Sequence, residues 1–170
     1  MRLYTQLLLT TLLITLLSAC SSSNSGSSSR YSMRHDAAPL RVPTAIEMQD
    51  ATVTEVTKSA SAGRPYEVLG KRYSPMLDET GYSEEGIASW YGRKFHGYHT
   101  SNGETYDMFA MTAAHKTLPL PSFVKVTNTA NGKSVIVRVN DRGPFHDDRL
   151  IDLSYAAAYK LGYYNHGTAR

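Results

Sequence analysis

Four polar stations in the second half of the chain could do chemistry: Asn102-Gly103-Glu104, Asp107, His115, and Asn140-Asp141-Arg142-Gly143-Pro144. Each alone also fits a plain structural role as a turn, a cap, a core histidine or a loop carboxylate. Together they suggest acid/base work. A carboxylic acid held near another carboxylate, or in an apolar pocket, has a raised pKa and can protonate a leaving oxygen near neutral pH. Cleavage of a glycosidic bond asks for that donor and for a neighbour that stabilises an oxocarbenium-like transition state. Trp90, Tyr91, Phe95, His96, Tyr98 and His99 lie close by in sequence, and flat rings of this kind suit sugar faces. The same aromatics are also what a small β core needs, so stacking by Trp90 or Tyr91 and plain packing both stay open. No metal site is expected, because His96 and His99 have no further Cys or His at ligand spacing.

These stations need elements to hold them. Residues 123–128 and 134–141 are two alternating β-branched runs joined through Asn131-Gly132, which predicts a hairpin. The run between Gly86 and Gly92 reads as a strand, whereas residues 110–115 fit a helix or a strand equally. Ser154 before an Ala-rich run, with Gly162 after Leu161, predicts one short capped helix. Residues 65–75 suggest a short strand or clasp at the edge of the domain. Short strands with one helix argue for a compact, mainly β barrel.

The chain has 170 residues, 41% of them hydrophobic and 19% charged, enough for one domain. A net charge of +3 without a run of basic residues gives no reason to expect nucleic acid. Residues 86–170 carry 10 Lys/Arg against 6 Asp/Glu and five of the six His, so chemistry is expected there. At the N-terminus, Arg2 and an apolar run over 7–17 suit an export signal and are too short to span a bilayer. The only cysteine, Cys20, follows Leu17-Ser18-Ala19, an arrangement that resembles a bacterial lipobox. It predicts a signal peptide over 1–19 and a diacylglyceryl- and palmitate-bearing Cys20 as first mature residue. The Ser-rich stretch 21–29 reads as a flexible tether, and the whole of 20–63 as poorly ordered linker. A clasp is expected over 64–85 and the catalytic domain over 86–170.

A resemblance joins these observations. Gly86-Ile87-Ala88-Ser89-Trp90-Tyr91-Gly92, Phe95-His96-Gly97, Thr100-Ser101-Asn102-Gly103-Glu104, Ala110-Met111-Thr112-Ala113-Ala114-His115, Val139-Asn140-Asp141-Arg142-Gly143-Pro144-Phe145 and Ile151-Asp152-Leu153-Ser154 resemble the rare lipoprotein A family in order. The resemblance implies a six-stranded double-psi β-barrel with one or two short helices behind a disordered tether. It implies an endolytic lytic transglycosylase, a lyase without cofactor, acting on peptidoglycan glycan strands and preferring those without stem peptides. Such an enzyme leaves 1,6-anhydromuramoyl ends and serves cell wall organisation. Glu104 and His115 match activity-critical positions, Asp107 matches a third acidic position, and Asp141 sits where the wider barrel superfamily keeps its acid. Asp141 is thus expected as general acid then base, with exchange of roles with Glu104 left open. Trp90, Tyr91, Asn102 and Arg142 are expected to bind substrate. Ser21 after Cys20 implies sorting to the periplasmic face of the outer membrane, with protein partners unspecified. The alternative reading is a non-catalytic, expansin-like lipoprotein that grips or loosens glycan. Two departures from the family stand out: the sequence stops at Gly167-Thr168-Ala169-Arg170, where one last strand is usual, and it carries no glycan-binding repeat domain.

Overall fold

The computed structural model describes residues 30–170. The expected signal peptide, Cys20 and the tether over 21–29 lie outside the described residues. Residues 31–170 form one compact unit. In chain order its elements are β1 (Tyr66–Val68), β2 (Lys71–Tyr73), β3 (Ile87–Tyr91), β4 (Thr112–His115), β5 (Ser122–Thr127), β6 (Ser134–Asp141), β7 (Arg149–Ser154), α1 (Tyr155–Leu161) and β8 (Thr168–Ala169). Six of the strands make one mixed sheet, ordered β5-β6-β4-β7-β3-β8. Within it β3 runs parallel to β7 and β4 parallel to β6, and the other neighbours are antiparallel.

The expected hairpin is β5 and β6, paired from Ser122↔Val139 to Thr127↔Ser134. Its turn closes on Asn128, whose carbonyl accepts from Gly132 N–H and whose Oδ1 accepts from Ala130 N–H. Gly132 takes a φ of 72° there, where a side chain would be strained. Along β6, Val135, Val137 and Val139 alternate inward and are essentially buried. They meet Ala113, Leu118, Leu120, Leu153 and Leu161 in the main core. Each such valine contributes on the order of 1.5–3 kcal/mol by leaving water. Residues 110–115, open between helix and strand in the sequence, give β4 over 112–115. All four of its residues are buried, which removes the alternation that would have marked a strand. Helix α1 starts and stops as expected: Ser154 Oγ accepts from Ala157 N–H, and Gly162 closes it in the left-handed region. It is the one α-helix among the described residues.

The 64–85 clasp contains a hairpin of β1 and β2, turned through Leu69 and Gly70, both at positive φ. Its Tyr66 and Tyr73 stack on each other and meet Phe145 edge-on. The end of the chain does form a strand, since β8 pairs Ala88↔Ala169 and Ser89↔Thr168 beside β3.

Residues 31–63 correct the linker expectation. They lie against the sheet domain and are pinned at several separated points. Asp36 accepts from the backbone N–H groups of Gly92 and Lys94. Arg41 forms a bidentate pair with Glu47 and stacks over the Phe109 ring at 3.6 Å. Asp50 accepts from Ile136 N–H and Lys160, and Ala51 N–H donates to the Ile136 carbonyl. Ser59 N–H donates to the Leu120 carbonyl. Gly92 is needed for this approach, because a Cβ there would stand 2.5 Å from the Ala37 carbonyl oxygen.

Candidate active site

The site begins with a tight excursion between β3 and β4. Tyr106 N–H donates to the Tyr98 carbonyl, Gly97 N–H to the Tyr106 carbonyl and Thr100 N–H to the Glu104 carbonyl. A bridge between His99 and Thr105 completes the loop, and Gly103 at φ 91° turns its tip. The tip therefore lies against the end of β6. Two adjacent tip residues, Ser101 and Asn102, each hold one carboxylate.

Glu104 sits over the face of β6 that carries Arg138 and Asn140, two residues apart and so on one side of the strand. Its Oε1 accepts from Arg138 Nη2 at 2.8 Å, Arg138 Nε at 3.1 Å and Asn102 Nδ2 at 2.8 Å. Its Oε2 accepts from Asn140 Nδ2 at 2.8 Å. Burial pushes the carboxyl up, yet the hydrogen bonds from Arg138, Asn140 and Asn102 outweigh it and leave Glu104 below the usual range. It is held ionised. The pair opens on a groove of about 410 Å³, whose other wall is residues 46–54 with Phe109 to Thr112 beside them.

Asp141 ends β6. Its Oδ1 accepts from Ser101 N–H at 2.8 Å, Ser101 Oγ at 2.6 Å and Arg142 N–H at 2.8 Å. No hydrogen bond reaches Oδ2 among the described residues, so one oxygen is positioned by the loop while the other is left for an incoming group.

Asp107 stands apart from this network. Its Oδ1 caps Phe109 N–H at 2.9 Å and lies 3.6 Å from His96 Nδ1. His115 is buried, with both ring nitrogens engaged. Nδ1 accepts from the Thr117 and Leu118 N–H groups, and Nε2 meets the Tyr82 hydroxyl at 3.0 Å. Burial, with the Arg142 and Lys116 cations nearby, pushes the imidazole down to about 4, so it is neutral.

Three expected substrate binders are committed elsewhere. Arg142 donates from Nη1 to the His115 and Leu118 carbonyls and from Nη2 to the Ala62 carbonyl. It is a clasp between β6 and the two segments packed on it, with no donor turned to solvent in these bonds. Tyr91 is buried and stacked on Tyr106 at 4.1 Å. Trp90 donates Nε1–H to the Tyr164 carbonyl and packs edge-on to Tyr155. For both rings packing is therefore the role the structure gives. Asn102 does join the site, on Glu104. Arg138, absent from the sequence expectation, is the missing partner; its signal was only its i, i+2 spacing to Asn140. Among the described residues no group of three or more His, Cys, Asp or Glu could hold a metal ion.

Residues 83–170 match a family model described as lytic transglycolase, a double-psi β-barrel domain. A protein of Vibrio cholerae serotype O1 named endolytic peptidoglycan transglycosylase RlpA is 58% identical over 141 residues, covering 82% of this chain and 53% of that protein. A protein of the same name from Pseudomonas aeruginosa strain UCBPP-PA14 is 61% identical over 141 residues, covering 82% and 41%. One from Neisseria meningitidis serogroup B is 63% identical over 120 residues, covering 71% and 50%. The chain thus spans about half the length of these relatives, or less. With the match running through β3 to β8 and including both carboxylates and the residues that hold them, this chain belongs to the lytic transglycolase family.

Proposed function

We propose that this chain is a lytic transglycosylase that cuts peptidoglycan glycan strands, with Asp141 as general acid and then base. One observation carries the assignment. Glu104 is clamped in its ionised form by Arg138, Asn140 and Asn102, whereas Asp141 is oriented through Oδ1 and keeps Oδ2 clear. A carboxylate held ionised by an Arg is a poor proton donor and a good fixed negative charge. In the reaction, protonated Asp141 gives its proton to the glycosidic oxygen as the bond from C1 breaks. Glu104 stabilises the positive charge developing at C1. The muramoyl C6 hydroxyl then attacks C1, the C1–O6 bond closes the anhydro ring, and the hydroxyl proton passes to Asp141. No water is consumed.

The preference for strands without stem peptides is supported by the groove beside Glu104, whose far wall is residues 46–54 and would crowd a peptide branch. The printed names of the relatives support the peptidoglycan substrate. The lipobox-like Cys20 supports attachment to the periplasmic face of the outer membrane, within reach of the wall.

Incubation of the chain with peptide-free glycan strands, followed by mass spectrometry, tests the reading. Anhydromuramoyl ends are expected. Reducing ends would indicate a hydrolase, and intact strands that co-sediment with the protein would indicate the expansin-like binder.

A further inference from the structure

His115 matches a position the family needs for activity, yet its ring has no nitrogen left for a substrate. Nδ1 accepts from the Thr117 N–H at 3.2 Å and the Leu118 N–H at 3.0 Å, so Nδ1 carries no proton. The neutral ring must then carry its proton on Nε2, which faces the Tyr82 hydroxyl at 3.0 Å. Tyr82 in turn donates its own proton to Glu84 Oε2 at 3.0 Å. The direction of the chain is therefore fixed from end to end: His115 Nε2–H donates to Tyr82 Oη, and Tyr82 O–H donates to Glu84. The rings of Tyr82 and His115 also meet edge-on, with centroids 5.5 Å apart. His115 is 3% exposed, whereas Tyr82 is only part-buried and stands with Glu84 on the wall of a cavity of about 350 Å³. Gly86, Phe123, Leu150 and Ile151 line the same cavity.

We infer that His115 is a positioning residue that acts through Tyr82, orienting its hydroxyl and the 79–85 segment, and that it does not itself touch substrate or move a proton. The charged groups around the ring are consistent with that role. Arg142 binds its backbone carbonyl, Lys116 follows it in the chain, and Glu84 reaches it only through Tyr82. Protonation of Nδ1 would set a donor against two amide donors, so the ring is unsuited to cycling between its two forms. The inference rests on the proposed transglycosylase activity and deepens it, by separating His115 from the Glu104 and Asp141 pair.

Glutamine has the same inventory as this tautomer, one acceptor towards the Thr117 and Leu118 amides and one donor towards Tyr82, but it cannot exchange a proton. The test measures kcat/KM of the full chain on peptide-free glycan strands for Tyr82→Phe, His115→Ala, His115→Gln and the Tyr82→Phe/His115→Ala pair. Tyr82→Phe and His115→Ala are expected to fall to a similar level, about tenfold down. The pair is expected to fall no further, and His115→Gln to recover most of the loss. If His115→Gln is as impaired as His115→Ala, or if Tyr82→Phe matches wild type, the inference is overturned. Where His115→Ala fails to fold, the near-isosteric Tyr82→Phe and His115→Gln still decide the matter. A separate arm records the ring ¹⁵N signals of His115, which should show proton on Nε2 alone and an altered Nε2 environment in Tyr82→Phe. Protonated Nδ1 would overturn the inference whatever the kinetics. If wild type shows no turnover while the ring signals are as expected, the proposed reaction fails and His115 keeps only its contact with Tyr82.

Discussion

Replacing Arg138 with Met keeps a long stem over the strand and removes the guanidinium from Glu104. Wild-type Glu104 receives three Arg138 contacts at 2.8, 3.1 and 3.3 Å and two amide donors at 2.8 Å. A hydrogen bond to a charged group is worth about 1.5–3 kcal/mol. The side chains are 27% and 36% exposed, so solvent screens part of that. A discounted loss of about 1–2 kcal/mol follows, a melting drop of roughly 3–8 °C for a domain of this size. The pH dependence is the sharper readout. Glu104 is depressed in the folded state, so its stabilisation is present above the unfolded carboxyl value and is lost as pH falls through the folded one. The penalty of Arg138→Met should therefore be full at pH 7 and shrink towards pH 3, while the pH-independent loss of packing on Phe123 remains. Thermal melts of both proteins at the two pH values measure it. An equal penalty at pH 7 and pH 3 would refute the ionised clamp.

Three further outcomes are expected. His115 is held near 4 against 6.5 unfolded, so the unfolded chain binds a proton first, and stability should fall between pH 6.5 and pH 4 by about 3 kcal/mol; denaturant titrations in that window should show a weaker pH slope in His115→Gln. Gly92→Ala places a Cβ 2.5 Å from the Ala37 carbonyl and 2.9 Å from the Trp90 ring, so limited proteolysis should cut within residues 31–51 sooner than in wild type. Equal cutting rates would show that this segment does not depend on the contact. Ser154→Ala removes the cap on α1 and should lower stability by about 1 kcal/mol in the same denaturant assay; no change would mean that Ala157 N–H finds another partner.

The β5 and β6 hairpin and α1 are legible in the sequence because each has a period and a punctuating residue, Gly132 in one case and Ser154 with Gly162 in the other. Strand β4 is not, because burial of Thr112 to His115 on both faces leaves no period to read. Residues 31–63 hide their attachment differently. They expose Leu40, Val42, Ile46 and Val53, and are held by single side chains and backbone bonds spaced ten or so residues apart. In the site, Glu104 and Asp141 announce themselves as acids beside glycines. Their partners do not. Arg138 reads as one more outward residue of an alternating strand, and Arg142, beside an acid and a glycine, looks free while its guanidinium is spent on three backbone carbonyls. Which donor meets which acceptor depends on where the 97–106 loop lands, a tertiary fact that local pattern does not carry.

The division of labour between the two carboxylates is tested most directly by product analysis of Asp141→Asn beside Glu104→Gln on peptide-free glycan strands. Asp141→Asn keeps an oxygen for Ser101 and removes the proton donor, so formation of anhydromuramoyl ends should drop by about 10²–10⁴-fold with the fold intact. Glu104→Gln should slow the reaction while ends still form. Wild-type rates of anhydro-end formation in Asp141→Asn would contradict the account.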